Sequence, residues 1–204
     1  MPEESQQPSQ PSPPGREVTP DSETPVDETG PVAAGTGKPG FPIVAVGASA
    51  GGLEAFTQML HALPTDTGMA FVLVQHLAPT HASILAELLS RATAMPVMEV
   101  QDESAVKPNH VHVIPPDRSM IISDDILRLL PREIQRGQHR PIDRFFQSLA
   151  ENQLHQAIGV VLSGTATDGT AGLEHIKAEG GITFAQDDTA QHLSLIHISE
   201  PTRQ

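Results

Sequence analysis

The chain has no cysteine, no tryptophan and no tyrosine. Without thiols there is no disulfide framework and no thiolate metal site, which fits a reducing compartment. With aromatic residues at only 3%, stacking platforms for single-stranded nucleic acid are not expected. Basic residues are also scarce: 12 Lys and Arg face 25 Asp and Glu, for a formal net charge of −13. A chain so charged repels polyanions, so nucleic acid and acidic membrane surfaces are unfavoured partners. No apolar run is long enough to span a bilayer. The polar, acidic N-terminus does not resemble a secretory leader. A cytoplasmic protein that is not integral to a membrane is therefore expected.

What is present falls into three stretches. Residues 1–40 are Pro, Ser, Thr, Glu and Gly with seven acidic and two basic side chains and almost no large apolar residue. Such a segment buries too little surface to offset its ordering entropy, so a disordered acidic tail is expected. The alternative is a recognition segment that orders on a partner. Residues 41–192 carry the periodic patterns of a folded domain. Residues 193–204 fit neither and are taken up below.

Within the domain, Ile43-Val44-Ala45-Val46 and Ala70 to Val74 are short apolar, β-rich runs, as expected of strands buried on both faces. Ala157 to Leu162 is a third, and Gly181 to Ala185 a further strand. Gly51 to Leu63 has helical spacing of Leu53, Phe56, Met59 and Leu60, and Pro64 ends it. Helices are likewise expected over His81 to Ala94, Pro141 to Leu154 and Gly169 to Glu179. In the middle, Val97 to Val100, His110 to Ile114, Met120 to Ile122 and Ile126 to Leu130 are short strand candidates. Asn109, Pro115-Pro116-Asp117 and Asp124-Asp125 punctuate them. Strands alternating with helices predict a doubly wound α/β fold, its sheet mainly parallel, with helices on both faces and a β-hairpin excursion. In such sheets ligands bind beyond the carboxyl ends of the strands, at the topological switch point.

The chemistry-bearing residues lie at those ends. The first strand runs into Gly47-Ala48-Ser49-Ala50-Gly51-Gly52, a G-x-S-x-G arrangement at a strand–turn–helix junction. Such a turn projects a serine hydroxyl above the sheet, at a helix N-terminus that favours developing negative charge. The competing reading is that Ser49 merely caps the helix. A phosphate cradle is disfavoured, because neither G-x-G-x-x-G nor a P-loop lysine is present. The second strand ends in Gln75-His76, and a histidine there is placed to act as general base. The third ends in Ser163-Gly164-Thr165-Ala166-Thr167-Asp168-Gly169. Asp168 can orient an imidazole, or can simply cap the helix that follows. The convergence of one Ser, one His and one Asp on equivalent strand ends favours a single hydrolytic site. His61, His81, His110, His112, His155 and His175 read as surface or packing residues, with only a weak His110-x-His112 pattern as a metal signal.

These motifs resemble the CheB-type chemotaxis receptor methylesterase domain. The resemblance runs from Phe41 to about Thr189. It rests on Gly47 to Gly52, Gln75-His76, Pro108-Asn109-His110-Val111-His112-Val113-Ile114-Pro115, His139-Arg140-Pro141-Ile142-Asp143, Leu162-Ser163-Gly164, Asp168-Gly169 and Ala185-Gln186-Asp187. It implies a serine esterase that removes methyl groups from glutamate methyl esters on the cytoplasmic helices of chemoreceptors. It also implies glutamine deamidation in many members. By that resemblance Ser49, His76 and Asp168 are the triad. Ala50 and Gly51 are candidates for the oxyanion-binding turn, Thr165 and Arg140 for the substrate cleft, and no metal or organic cofactor is implied. Ala50 stands where many members have Thr, and Thr165 and Ala166 where many have Met and Gly. The wording around Phe41 and Gly68-Met69-Ala70-Phe71 is most like the subgroup fused to a methyltransferase, so a fused or partner methyltransferase is expected. The alternative function is a catalytically idle regulatory module of a larger signalling protein.

Leu193-Ser194-Leu195-Ile196-His197-Ile198-Ser199-Glu200-Pro201-Thr202-Arg203 departs from the family pattern. It resembles the translation of a transposase-type sequencing adapter. On that reading residues 193–204 are not native, the domain is truncated at its C-terminus, and one sheet edge is left exposed.

Overall fold

A computed structural model describes residues 40–49, 51–75, 82–132, 139–162, 167–186 and the backbone of 195–197. All belong to the unit Thr36–Gln204; the other unit, Met1–Gly35, lies outside the described residues, as does most of the expected tail.

The chain alternates strand and helix as the apolar patterning predicts. The elements are β1 (Ile43–Ala48), α1 (Gly52–Ala62), β2 (Ala70–Gln75), α2 (Ala82–Ser90), β3 (Val97–Glu99) and β4 (Ser104–Ala105). There follow β5 (Val111–Val113), β6 (Arg118–Ser123), β7 (Ile126–Pro131), α3 (Pro141–Gln153) with a 3-10 turn at Leu154–Gln156, β8 (Ala157–Val161), α4 (Thr170–Ala178), β9 (Ile182–Gln186) and β10 (Leu195–His197). Seven strands form the main sheet in the order β10-β9-β8-β1-β2-β5-β3. All neighbours pair in parallel except β10, which runs antiparallel to β9. The edge of β9, expected to be bare, is thus paired through Leu195↔Gln186, Ile196↔Ala185 and His197↔Phe184.

Every residue of β1 and β2 is buried, because both faces of the sheet are covered. Alternate residues feed two cores. Val44, Val46, Phe71, Leu73, Val111 and Val113 pack with Phe56, Leu60, Leu85 and Leu89 from α1 and α2. Ile43, Ala45, Val72 and Val74 pack on the other face with Phe145, Phe146 and Leu149 of α3 and Leu173 and Ile176 of α4. Helices α1 and α3 therefore lie on opposite faces, which makes the β1–β8 junction the switch point.

The expected hairpin excursion is a three-stranded antiparallel sheet, β4-β7-β6. Asp124 and Asp125 both have positive φ, the geometry of a tight hairpin turn. Strand β4, only Ser104–Ala105, has no apolar run to announce it in the sequence. The excursion braces α3: Met120, Ile122 and Leu127 enter the same core as its Phe145 and Phe146. The Ser148 hydroxyl accepts the Ile122 N–H at 3.1 Å, and Gln153 Nε2 donates to Asp125 Oδ1 at 2.8 Å. Helix α2 ends four residues earlier than expected, at Ser90. Ile84 and Leu88 of its predicted apolar stripe are 60% and 42% exposed.

Candidate active site at the strand ends

The parallel register brings the predicted strand ends level. Ala48 pairs with Gln75 and Gly47 with Val161. The Leu162 N–H donates to the Gly47 carbonyl at 2.9 Å. Ser49 therefore leaves the sheet level with the carboxyl ends of β2 and β8. Of the predicted site residues, Ser49, Gly51, Arg140 and Asp168 are described. His76, Ala50 and Thr165 lie outside the described residues.

Ser49 is half-buried at the start of the turn. Its carbonyl accepts the Gly52 N–H at 3.0 Å and the Gln75 side-chain N–H at 3.0 Å. The residue at the helix-cap position of α1 is Gly51, and no side-chain hydrogen bond caps that end.

Asp168 is 5% exposed. It does not cap the helix that follows it, since Gly169 occupies that position with φ +99° and no side-chain cap is made. Its two carboxylate oxygens instead accept N–H groups from the first turn of α3: Ile142 to Oδ2 at 3.1 Å and Asp143 to Oδ1 at 2.9 Å. These N–H groups are among the four that a helix leaves unpaired at its start, and a carboxylate is favoured there by the helix dipole. The carboxylate is therefore fixed in place by a distant helix.

Asp143 returns the arrangement. Its Oδ1 accepts the N–H groups of Gly169 and Gly172, both at 2.9 Å, at the start of α4. Its Oδ2 lies 3.5 Å from Arg140 Nη1 but accepts no hydrogen bond. That contact is a partly exposed ion pair and adds little to stability. Arg140, a predicted cleft residue, is exposed just before α3 and so stands at the rim of this junction.

Close packing holds the N-terminus of α3 against the strand ends. Ile142 is fully buried. A Cβ on Gly47 would sit 2.5 Å from Ile142 Cγ2, and one on Gly169 2.9 Å from the same atom. Gly47 belongs to the serine motif for this reason as well as for the turn: it lets α3 approach β1.

Two polar residues with a part in this geometry carried no assigned role in the sequence. In the sequence Gln75 stands out only as the neighbour of His76, and Asp143 only as part of a loop-to-helix motif. The one local signal was a polar residue at the end of a buried strand and another in the first turn of a helix. His112, by contrast, is a packing residue as expected. It is fully buried on β5, and its Nε2 accepts the Lys107 N–H at 3.3 Å. A groove of about 500 Å³ between α1 and α2, lined by Leu53, Glu54, Thr57, Gln58, His61 and Leu88, contains none of the site residues. The strand ends, where the topology places ligands, are the stronger candidate.

The CheB methylesterase family profile matches residues 44–195. A protein-glutamate methylesterase/protein-glutamine glutaminase of Photorhabdus laumondii is 35% identical over 152 residues, covering 72% of this chain and 43% of that protein. Another from Burkholderia lata is 38% identical over 147 residues, with the same coverage. The chain thus spans less than half the length of these relatives. The crystal structure of the Thermotoga maritima CheB methylesterase catalytic domain superposes with a TM-score of 0.66 at 28% identity, over 73% of this chain and 81% of that one. Among the described residues no helix is long and apolar enough to cross a membrane. With the doubly wound sheet and the family match over most of its folded length, the chain belongs to the CheB methylesterase family.

Proposed function

We propose that this domain is a cytoplasmic serine esterase that hydrolyses glutamate methyl esters on the methylated helices of chemoreceptors, with Ser49 as nucleophile, His76 as base and Asp168 as the third member. The observation that carries this reading is the Asp168 carboxylate, buried and held by the N–H groups of Ile142 and Asp143, where Ile142 packs on Gly47 of the serine motif. A carboxylate so fixed is suited to orient an imidazole and to stabilise it when charged. The names of the relatives support the substrate class.

In this mechanism Ser49 Oγ attacks the ester carbonyl carbon while His76 takes the hydroxyl proton. The tetrahedral oxyanion is held by N–H groups of the turn, from Ala50 or Gly51. It collapses with loss of methanol, which receives the proton from His76. Water then attacks the acyl-enzyme, again deprotonated by His76, and leaves the glutamate carboxylate and free Ser49. The same acyl chemistry with ammonia as leaving group is glutamine deamidation, the second activity in the relatives' names. Thr165 and Arg140 line the substrate cleft on this reading, and a fused or partner methyltransferase supplies the ester. No step calls for a metal or organic cofactor.

The test is release of labelled methanol from methylated receptor by the chain and by Ser49→Ala. Release that is lost in the folded variant supports the reading. Equal background release from both overturns it and favours a regulatory module.

A further inference from the structure

The chain has a formal charge of −13, yet its basic residues are not spread evenly. Between positions 118 and 144 stand six of its twelve Lys and Arg, all of them arginine, against four Asp and Glu. The fold gathers four of the six at one end of the β6–β7 ribbon. Ser148 meets the Ile122 N–H and Gln153 meets Asp125, so α3 and β6 run in the same direction, towards the hairpin turn. Arg144 lies one turn before Ser148 on the same face of α3, and Arg140 holds the cap position one turn further back. Two turns of helix and four residues of strand both span roughly 12–13 Å, which sets the first turn of α3 level with Arg118. Across the ladder Arg118 pairs with Pro131. Arg132 follows, its Nη1 3.3 Å from Asp117 Oδ1.

Arg118, Arg132 and Arg140 are exposed and Arg144 is half-buried. Arg118 makes no ion pair among the described residues. The pair of Arg132 with Asp117 is a surface pair, weak enough to exchange for another carboxylate. Asp143 and Asp168, also at this end, already accept helix N–H groups. The N-terminus of α3 adds its own partial positive charge. A positive rim therefore borders the junction where Ile142 packs on Gly47.

We propose that Arg118, Arg132, Arg140 and Arg144 form a docking rim for an acidic helix, binding carboxylates that flank the ester under attack. The substrate side of this rests on the serine esterase reading above, whose product is itself a carboxylate. A helix with several ester sites grows more negative with each turnover. The acidic remainder of the chain repels such a helix, while the rim attracts it and sets which end of the domain it meets. Partly hydrolysed receptor is thus held more tightly than fully esterified receptor.

The test needs no hydrolysis. A fluorescein-labelled helical peptide with a row of glutamates, and its counterpart with glutamines, are titrated into the full chain at ionic strengths of about 0.01 M and 0.15 M. The glutamate peptide is expected to bind about tenfold more tightly at the lower value, as a few exposed ion pairs allow, and to lose most of that preference at the higher. Joint Arg118→Gln and Arg132→Gln should abolish most of it, whereas Arg91→Gln, on α2, should not. Thermal melts check folding. If the double variant is unfolded, Arg118→Gln alone should cut the preference about threefold. Equal affinity for the two peptides, a preference indifferent to salt, or one that survives in the folded Arg118 variants overturns the proposal. A preference lost equally in Arg91→Gln overturns it too, by showing a response to net charge alone. Absence of methanol release sinks the esterase reading by itself; the charge preference, read on unesterified peptides, decides the rim separately.

Discussion

Asp143 and Asp168 cap each other's helices. Asp168 accepts the N–H groups of Ile142 and Asp143 at the start of α3, and Asp143 accepts those of Gly169 and Gly172 at the start of α4. Each carboxylate thus satisfies donors on the helix that bears or follows the other. The pair locks two helix N-termini together beside the end of β8, and the proposed third member of the triad is one half of the lock.

Asp143→Ala is expected to remove both caps of α4 and lower stability by about 1–2 kcal/mol, as for loss of a strong helix cap. Asp143→Asn should retain most of it, since its amide oxygen accepts the same two N–H groups. Urea unfolding of the three proteins measures this. Equal loss in the Asn and Ala variants would show that charge, and not acceptance of the N–H groups, holds the junction.

The approach of α3 to β1 predicts a coupled pair. Gly47→Ala places a methyl 2.5 Å from Ile142 Cγ2. It should destabilise the domain by about 1–3 kcal/mol through overpacking. Ile142→Ala alone should also destabilise, by leaving a cavity. Together their costs should fall short of additive, because the new methyl occupies space the isoleucine vacates. A double-mutant cycle on unfolding free energies reads the coupling directly; additivity would mean that the helix shifts freely.

His112 makes stability depend on pH. Burial lowers its pKa from 6.5 to about 4, with the neighbouring positive charges of His110 and Lys107 acting in the same direction. The unfolded chain takes up a proton below 6.5 while the folded one does not until about 4. The contribution is therefore full above pH 6.5 and is lost progressively as pH falls towards 4, a change of roughly 3 kcal/mol. Denaturation at pH 7, 5.5 and 4.5 should show this fall in the parent chain and a shallower one in His112→Leu. Parallel curves would assign the acid sensitivity to other groups.

Much of the fold was legible in the residues alone because its signals are local. The apolar runs at Ile43 and Ala70 mark buried strands, the spacing of Leu53, Phe56 and Leu60 marks a helix, and their alternation specifies a doubly wound parallel sheet. The motif from Gly47 to Gly52 places the serine at a strand end, and the resemblance to CheB methylesterases follows from motifs of this kind.

Other features were decided only by tertiary structure, because they depend on contacts between distant segments. Whether Asp168 caps its own helix or another is not written in its neighbours: its partners lie 25 and 26 residues away. Gln75 meets the Ser49 carbonyl only because the register of β1 and β2 sets them side by side. Gly47 is required by a helix that arrives from the opposite face of the sheet, and Ile84 and Leu88 stay exposed because no element covers that side of α2 among the described residues. Sequence patterns report which surfaces must be buried; which polar group meets which is set by the packing that buries them.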